Sequence, residues 1–170
     1  MPGAGYCAAI SLSMAAGLVA MAAGASRDEW PEAKGAAAQA NMLRERVAPL
    51  AQKNVNAYAD AVARLGGRED GGSEADLGTL LERAAQIPLD IAEAAVDVAA
   101  LAAVVAERGN QALRADAVAA ALLAQGAARA AATLVEVNLG TTASDERVTQ
   151  VRDLVGTATA AAERAQATLA

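Results

Sequence analysis

The chain has 170 residues, a length typical of one domain spanning residues 1–170, and its formal net charge is −6. The acidic balance argues against a nucleic-acid partner bound through a basic face. Histidine is absent, which excludes histidine-based triads and metal sites, and the single cysteine, Cys7, excludes an internal disulfide. Hydrophobic residues make up 55% of the chain but aromatic residues only 2%, so we expect closely spaced, alanine-rich helices.

The first predicted helix runs from Tyr6 to Gly24, and no charged side chain precedes Arg27. A signal peptide needs a basic segment before its apolar run, and a spanning helix needs about 20 strongly apolar residues. Serine and glycine dilute this stretch, so we expect it to be buried in a cytoplasmic protein without a membrane partner. The Ala-Gly-Ala-Ser at 23–26 resembles a signal-peptide cleavage site, so the interpretation of this segment as a signal peptide stays open.

The remaining helices follow from hydrophobic periodicity and from proline and glycine breaks. Pro31 suits the first turn of the second helix, in which Pro49 should cause a kink or a split. The later helices are predicted at residues 77–87, 89–108 and 113–139, and from a cap at Ser144 onward. No alternating, β-branched segment competes, so the fold class is all-α, with about six helices.

Three polar residues interrupt apolar helix stripes: Asn54, Asp116 and Asn138. Each could be a buried polar group that is satisfied by its neighbours and fixes the helix register. Alternatively, the three side chains could converge on one pocket between helices, where bundles place their ligand sites. The glycine turn at 2–5 could add backbone N–H groups for an anion, although it lacks the lysine of a phosphate-binding loop.

Five segments, in order along nearly the whole chain, resemble motifs of the cyclodeaminase/cyclohydrolase family of folate one-carbon metabolism. They are Pro-Gly-Ala-Gly at 2–5, Asn-Val-Asn-Ala-Tyr at 54–58, Ile-Pro-Leu-Asp-Ile-Ala-Glu at 87–93, Gly-Asn at 109–110 with Ala-Asp at 115–116, and Asn-Leu at 138–139. The family includes the cyclodeaminase part of formiminotransferase-cyclodeaminase and the methenyltetrahydrofolate cyclohydrolases. No single motif is specific for the family, but the order and spacing of the five motifs together are.

The resemblance implies an up-and-down helical bundle that is usually a homodimer and acts on a tetrahydrofolate derivative. The family's reactions are ring closure of formiminotetrahydrofolate with loss of ammonia, or hydrolysis of the methenyl bridge. Both move protons and so require a carboxylate of suitable pKa. The resemblance implies no bound metal or cofactor, and a reduced folate or related pterin as the small-molecule partner.

This sequence departs from the family pattern at the expected site. Asn54 stands where the family has the Asp thought to be its base, and an amide cannot accept a proton as a carboxylate does. Tyr6 replaces a serine, Arg27-Asp28 replaces a basic pair, and Leu134 replaces an asparagine. Core pattern and site chemistry are separable, so we expect a retained bundle with weakened or changed activity.

Two hypotheses about function follow, one for an enzyme and one for a non-catalytic protein. In the first, the protein acts on a folate, with Asp116 as the candidate base and with Asn54 and Asn138 orienting the ligand. The other expected substrate-binding residues are Gly3, Gly5, Tyr6 and Arg27. In the second, the protein is a catalytically silent, dimeric helical scaffold that serves a partner.

Overall fold

Five α-helices and one short 3-10 helix form the regular structure of the residues that the structure describes. The protein is represented by a computed structural model that describes residues 3–66, 74–139 and 145–170. The elements are α1 (Ala4–Gly24), α2 (Ala33–Gly66), α3 (Glu74–Arg108), a 3-10 turn (Gln111–Leu113), α4 (Arg114–Leu139) and α5 (Glu146–Ala167). No strand occurs within these ranges. The all-α prediction is confirmed.

The helix count is five α-helices in the described ranges, not about six, because α3 continues through Pro88. The predicted break there is wrong, and α2 likewise continues through Pro49 without being split. A proline removes one backbone hydrogen bond and crowds the preceding turn. Pro88 is fully buried, together with Leu89 and Ile91 beside it. The packing of this segment therefore outweighs the lost hydrogen bond.

Alanine dominates the core, to which α1 contributes one face. This helix packs against α2, α3 and α4, while α5 covers α3 and α4. Most buried side chains of α1 and α4 are alanine methyl groups. Small side chains let helix backbones approach closely, so one helix can contact three others over most of its length.

Consecutive helices run in opposite directions, so the end of one helix lies beside the start of the next at each end of the bundle. The Ser26 Oγ accepts a hydrogen bond from the Asn110 backbone N–H at 2.8 Å, which joins the ends of α1 and α3. Arg114 Nη1 donates to the Thr168 carbonyl at 3.2 Å, which joins the start of α4 to the end of α5. We call this end the turn end. The opposite end holds the start of α1 and the last turns of α4.

At the turn end, Ser26 is the buried polar residue of the described core. Its hydroxyl donates to the Ala22 carbonyl at 2.7 Å while it accepts from Asn110. Gly109 leaves room for this contact, since an added Cβ there would lie 2.8 Å from the Ser26 Oγ. Asn110 also donates from Nδ2 to Glu29 Oε1 at 2.8 Å, which completes the junction.

The N-cap of α5 is Asp145, not the predicted Ser144, which lies outside the described residues. The Asp145 Oδ1 accepts from the Arg147 backbone N–H at 2.9 Å, and Oδ2 accepts from the guanidinium of the same residue at 2.6 Å. These hydrogen bonds favour the carboxylate and lower the pKa of Asp145 to about 2. The observed N-cap is thus one residue later than predicted. Aspartate caps a helix as well as serine does, so either residue was a possible cap.

Two segments are long and apolar enough to span a membrane by length and composition alone: Ala4–Gly24 and Gln111–Leu139. In the bundle, 44% of the first window and 50% of the second are buried against other helices. The central helices of a helical core have this same composition, since they are surrounded by protein.

Replacing Ser26 with alanine should destabilise the bundle by about 1–3 kcal/mol, because the partly buried Asn110 N–H loses its acceptor. Chemical denaturation of the Ser26→Ala variant measures the loss. Thr157→Ala is the matched control: its hydroxyl also donates to a carbonyl four residues earlier, Asp153 at 3.0 Å, but it is exposed. Equal losses in the two variants would contradict a special role for the Ser26 junction.

Candidate functional site

A pocket of about 440 Å³ lies at the end of the bundle opposite the turn end. The start of α1 and parts of α2, α3 and α4 form its walls. Its lining residues are Gly3, Ala4, Gly5, Asn54, Val55, Ala57, Tyr58, Ala84, Pro88, Leu134, Val137 and Asn138. The volume is within the range of small-molecule sites, and the lining is mainly apolar with a few polar groups, which is the usual composition of such sites.

The first turn of α1 packs directly against the Asn54 side chain. A Cβ added at Gly5 would lie 2.5 Å from both the Cγ and the Nδ2 of Asn54. No real Cβ tolerates such contacts, so glycine at position 5 is what lets α2 present this amide beside the α1 backbone. A Cβ at Gly3 would have nothing within 4 Å, which leaves that side of the turn open.

The two pocket asparagines differ from the other three asparagines of the chain. Asn41, Asn56 and Asn110 each make a side-chain hydrogen bond within the protein. Asn54 and Asn138 are half-buried, and within the described ranges neither side chain has a hydrogen-bond partner. Polar groups in partly buried positions are normally hydrogen-bonded. These two amides therefore offer unused donors and acceptors to a ligand.

The start of α1 adds an electropositive backbone to the same pocket. Gly3 is its N-cap in an extended conformation, and no side chain caps the helix. The first turn also contains no acidic residue. The first N–H groups of a helix lack internal partners and carry partial positive charge, so they favour an anion or a carbonyl oxygen nearby.

Among the described lining residues there is no carboxylate and no cationic side chain. Tyr58, whose side chain is 68% exposed at the pocket mouth, is the titratable member of this set. In the described residues, no group of three or more potential metal ligands occurs either. The pocket can therefore bind and orient a polar ligand through amides and backbone, but it supplies no strong base of its own.

The structure brings together four of the predicted site residues and separates the other three from the pocket lining. Gly3, Gly5, Asn54 and Asn138 share the pocket. Tyr6 is half-buried against the core and is not part of the lining.

Asp116 and Arg27 lie at the turn end. Asp116 is in the first turn of α4, so about 33 Å of helix separates it from Asn138. The expectation that Asn54, Asp116 and Asn138 converge on one pocket is therefore corrected for Asp116. Its carboxylate instead suits the positive end of the α4 dipole. Arg27 follows the last turn of α1, at the far end of that helix from Gly3.

The sequence analysis missed Val137 and Pro88 as apolar walls of the pocket, and it placed Leu134 at the expected site only as the replacement of an asparagine. One signal was present in the sequence, because Leu134 and Asn138 are four residues apart and so share a helix face, as Asn54 and Tyr58 do. Val137 gave no such signal. Its 74% exposure becomes meaningful only because it lies at the mouth of a pocket.

Comparison with known proteins agrees with this architecture. A family model described as formiminotransferase-cyclodeaminase matches residues 1–156. The crystal structure of formiminotetrahydrofolate cyclodeaminase from Thermotoga maritima superposes with a TM-score of 0.85 at 23% sequence identity, covering 99% of this chain and 87% of that chain. At that identity the likeness establishes the fold. No curated protein sequence matches the chain.

A methyl group at position 5 should displace the Asn54 amide and destabilise the protein by about 1–3 kcal/mol, because the added carbon would overlap the Asn54 side chain. Denaturation of Gly5→Ala measures this, with Gly3→Ala as the control whose Cβ meets open space. Asn54→Ala combined with Gly5→Ala should recover most of the loss, since the clashing atoms are then gone. An additive double mutant would contradict the proposed contact.

Proposed function

The chain belongs to the formiminotransferase-cyclodeaminase family, and on that premise we propose that it binds a reduced folate in the pocket between α1, α2 and α4. The observation that carries this proposal is the pair of half-buried amides, Asn54 and Asn138, whose hydrogen-bonding groups face the same cavity unused. A pterin ring presents several donors and acceptors along one edge, which suits two carboxamides. The similar Thermotoga maritima protein is named as a formiminotetrahydrofolate cyclodeaminase.

The apolar walls and the α1 N-terminus support the same ligand class. The side chains of Leu134 and Val137 form an apolar surface against which a flat ring can pack. The N–H groups of the first α1 turn favour a carbonyl or carboxylate oxygen. No metal or cofactor enters this proposal, because ring, amide and backbone contacts account for binding.

On the same proposal, turnover is weak because the pocket lacks a proton acceptor. Cyclodeamination and cyclohydrolysis both move a proton at a folate nitrogen or a water molecule, which a positioned carboxylate accelerates by about 10²–10⁴-fold. Asn54 occupies the position where the family resemblance implies an aspartate, and its amide cannot take up that proton. Asp116 is too far from Asn54 to replace it within one chain.

A second candidate function is a catalytically silent helical scaffold. The same missing carboxylate favours it, since a bundle can keep its packing after its chemistry is lost. The two functions differ in ligand binding: a scaffold has no need of free amides in a pocket, whereas a folate protein depends on them.

We also propose that the protein is cytoplasmic and forms a homodimer. Several large apolar side chains of α1 and α2 are exposed: Met14 is 63%, Met21 47% and Met42 70% exposed. Contiguous exposed apolar surface is usually covered by a partner. The burial of much of α1 against other helices supports a location in the cytoplasm.

The native protein should bind 5-formyltetrahydrofolate, measured by isothermal titration calorimetry. Asn54→Ala and Asn138→Ala should each weaken binding by about tenfold, the equivalent of one lost hydrogen bond. Asn41→Ala is the control, because the Asn41 amide already donates to the Ala37 carbonyl at 3.0 Å and lies outside the pocket. A folded protein with no affinity for any reduced folate would favour the scaffold instead.

Restoring the carboxylate should restore chemistry. Asn54→Asp should raise the turnover of formiminotetrahydrofolate or methenyltetrahydrofolate by about 10²-fold, followed by the absorbance of the methenyl compound. Asn138→Asp places the same charge elsewhere in the pocket and should give no gain. Asp116→Asn should leave the rate unchanged, since that residue lies at the turn end. An Asn54→Asp variant that binds folate without any gain in rate would contradict the proposed role of position 54.

A further inference from the structure

A second cavity is an open groove between α4 and α5, on the face of α4 next to the pocket. Its volume is about 350 Å³, and its described lining residues are Arg129, Ala132, Thr133, Glu136, Arg152 and Val155. The floor is apolar, because Ala132 is buried and Val155 is half-buried against the core. The charged side chains stand at the rim. We call this set the α4–α5 groove.

The two arginines of the α4–α5 groove differ in what they contact. Arg152 Nε donates to Glu136 Oε1 at 2.7 Å, so this cation and the acidic member of the lining neutralise each other. Arg129 is exposed, and none of the described residues forms an ion pair or a hydrogen bond with its guanidinium. The described lining of the α4–α5 groove therefore carries an uncompensated positive charge, at Arg129.

The pocket and the α4–α5 groove share one stretch of α4. Leu134, Val137 and Asn138 line the pocket, whereas Arg129 and Thr133 line the groove. Residues four apart lie on nearly the same face of a helix, so Val137, Thr133 and Arg129 form a row that leads from the pocket mouth to the guanidinium. All three side chains of this row are exposed. A ligand that emerges from the pocket at Val137 can therefore lie along it.

The length of this row suits the part of a folate that lies beyond its ring. Val137 follows Arg129 by eight residues, which corresponds to about 12 Å along the helix axis. The extended benzoylglutamate portion of a folate is of similar length, and it ends in two carboxylates. A ring held between Asn54 and Asn138 would thus bring those carboxylates near Arg129.

The pocket itself gives the acidic end of a folate no counter-charge. Among its described lining residues the polar side chains are two neutral amides and the Tyr58 phenol, which is exposed at the mouth. Carboxylates enclosed there would lose water without gaining a cation, which is unfavourable. Outside the mouth, both solvent and the Arg129 guanidinium are available to them.

We propose that Arg129 binds the glutamate carboxylates of the folate and thereby makes the protein selective for pterins that carry an acidic tail. A guanidinium can bind a carboxylate through two parallel N–H···O hydrogen bonds. This inference rests on the proposed function, because it assigns the second half of the same ligand. It needs no residue from another subunit.

The neighbours of Arg129 support its assignment over that of Arg152. The Arg152 guanidinium would have to leave Glu136 before it could bind a ligand, whereas the Arg129 guanidinium is already available. Thr133 donates from its hydroxyl to the Arg129 carbonyl at 3.1 Å, so this small side chain is held against α4. The path between Val137 and Arg129 is thus left open.

Two ligands that differ only in the charge of the tail test the inference by isothermal titration calorimetry. They are 5-formyltetrahydrofolate and its dimethyl ester, which keeps the ring and the benzoyl group. The wild-type protein should bind the acid about tenfold more tightly than the ester. Arg129→Gln should bind the acid as weakly as the ester, and its affinity for the ester should be unchanged. Added salt should reduce the preference for the acid.

Two control variants separate the role of Arg129 from a general effect of charge. Glu136→Gln combined with Arg152→Gln removes the neutral ion pair of the same groove and should keep the preference for the acid. Arg108→Gln removes an exposed cation at the turn end and should also keep it. Denaturation of Arg129→Gln should match the wild-type protein, because an exposed side chain without a described partner contributes little to stability.

The outcomes separate this inference from the proposed function. If the wild-type protein binds acid and ester equally, or if Arg129→Gln still prefers the acid, the inference is wrong while the proposed function stands. An equal loss of preference in Arg108→Gln would show a general attraction by surface charge and would also overturn it. If the wild-type protein binds neither form, the proposed function fails and the role of Arg129 fails with it.

Discussion

Close packing of alanine methyl groups around α1 is the constraint on which the other features of the molecule depend. Alanine lets α2, α3 and α4 approach α1 together, so α1 tolerates no charged side chain on its inner face. The same close approach brings Gly5 against Asn54. The bundle thus has little room for polar groups, and the few that enter it do so where the helices end.

The two ends of the bundle show what those polar groups do. At the turn end, Ser26 and Asn110 use their hydrogen bonds within the protein and so hold the termini of α1 and α3 together. At the opposite end, Asn54 and Asn138 leave theirs unused around a cavity. Side chains of similar chemistry therefore stabilise the bundle at one end and leave their hydrogen-bonding groups open to a ligand at the other. The difference lies in whether a partner is within reach.

Fold and chemistry are separable in this family member. The alanine contacts that define the bundle involve surfaces far larger than the site, so they persist when a single side chain in the pocket changes. Position 54 shows this: an amide and a carboxylate have nearly the same shape, so either could occupy the space beside Gly5. Only the carboxylate could accept a proton. Packing at position 54 therefore does not prevent the exchange of a carboxylate for an amide, even though that exchange alters catalysis.

The sequence by itself determined the all-α fold, and it marked Asn54 and Asn138 as candidate site residues. Both results follow from local hydrophobic periodicity. Residue spacing gives the face of a helix on which a side chain lies, but it does not say which end of the bundle that side chain reaches. Tertiary structure therefore decided that Asp116 lies about 33 Å of helix away from Asn138. It also decided that α3 continues through Pro88, since the burial that stabilises that segment comes from helices distant in sequence.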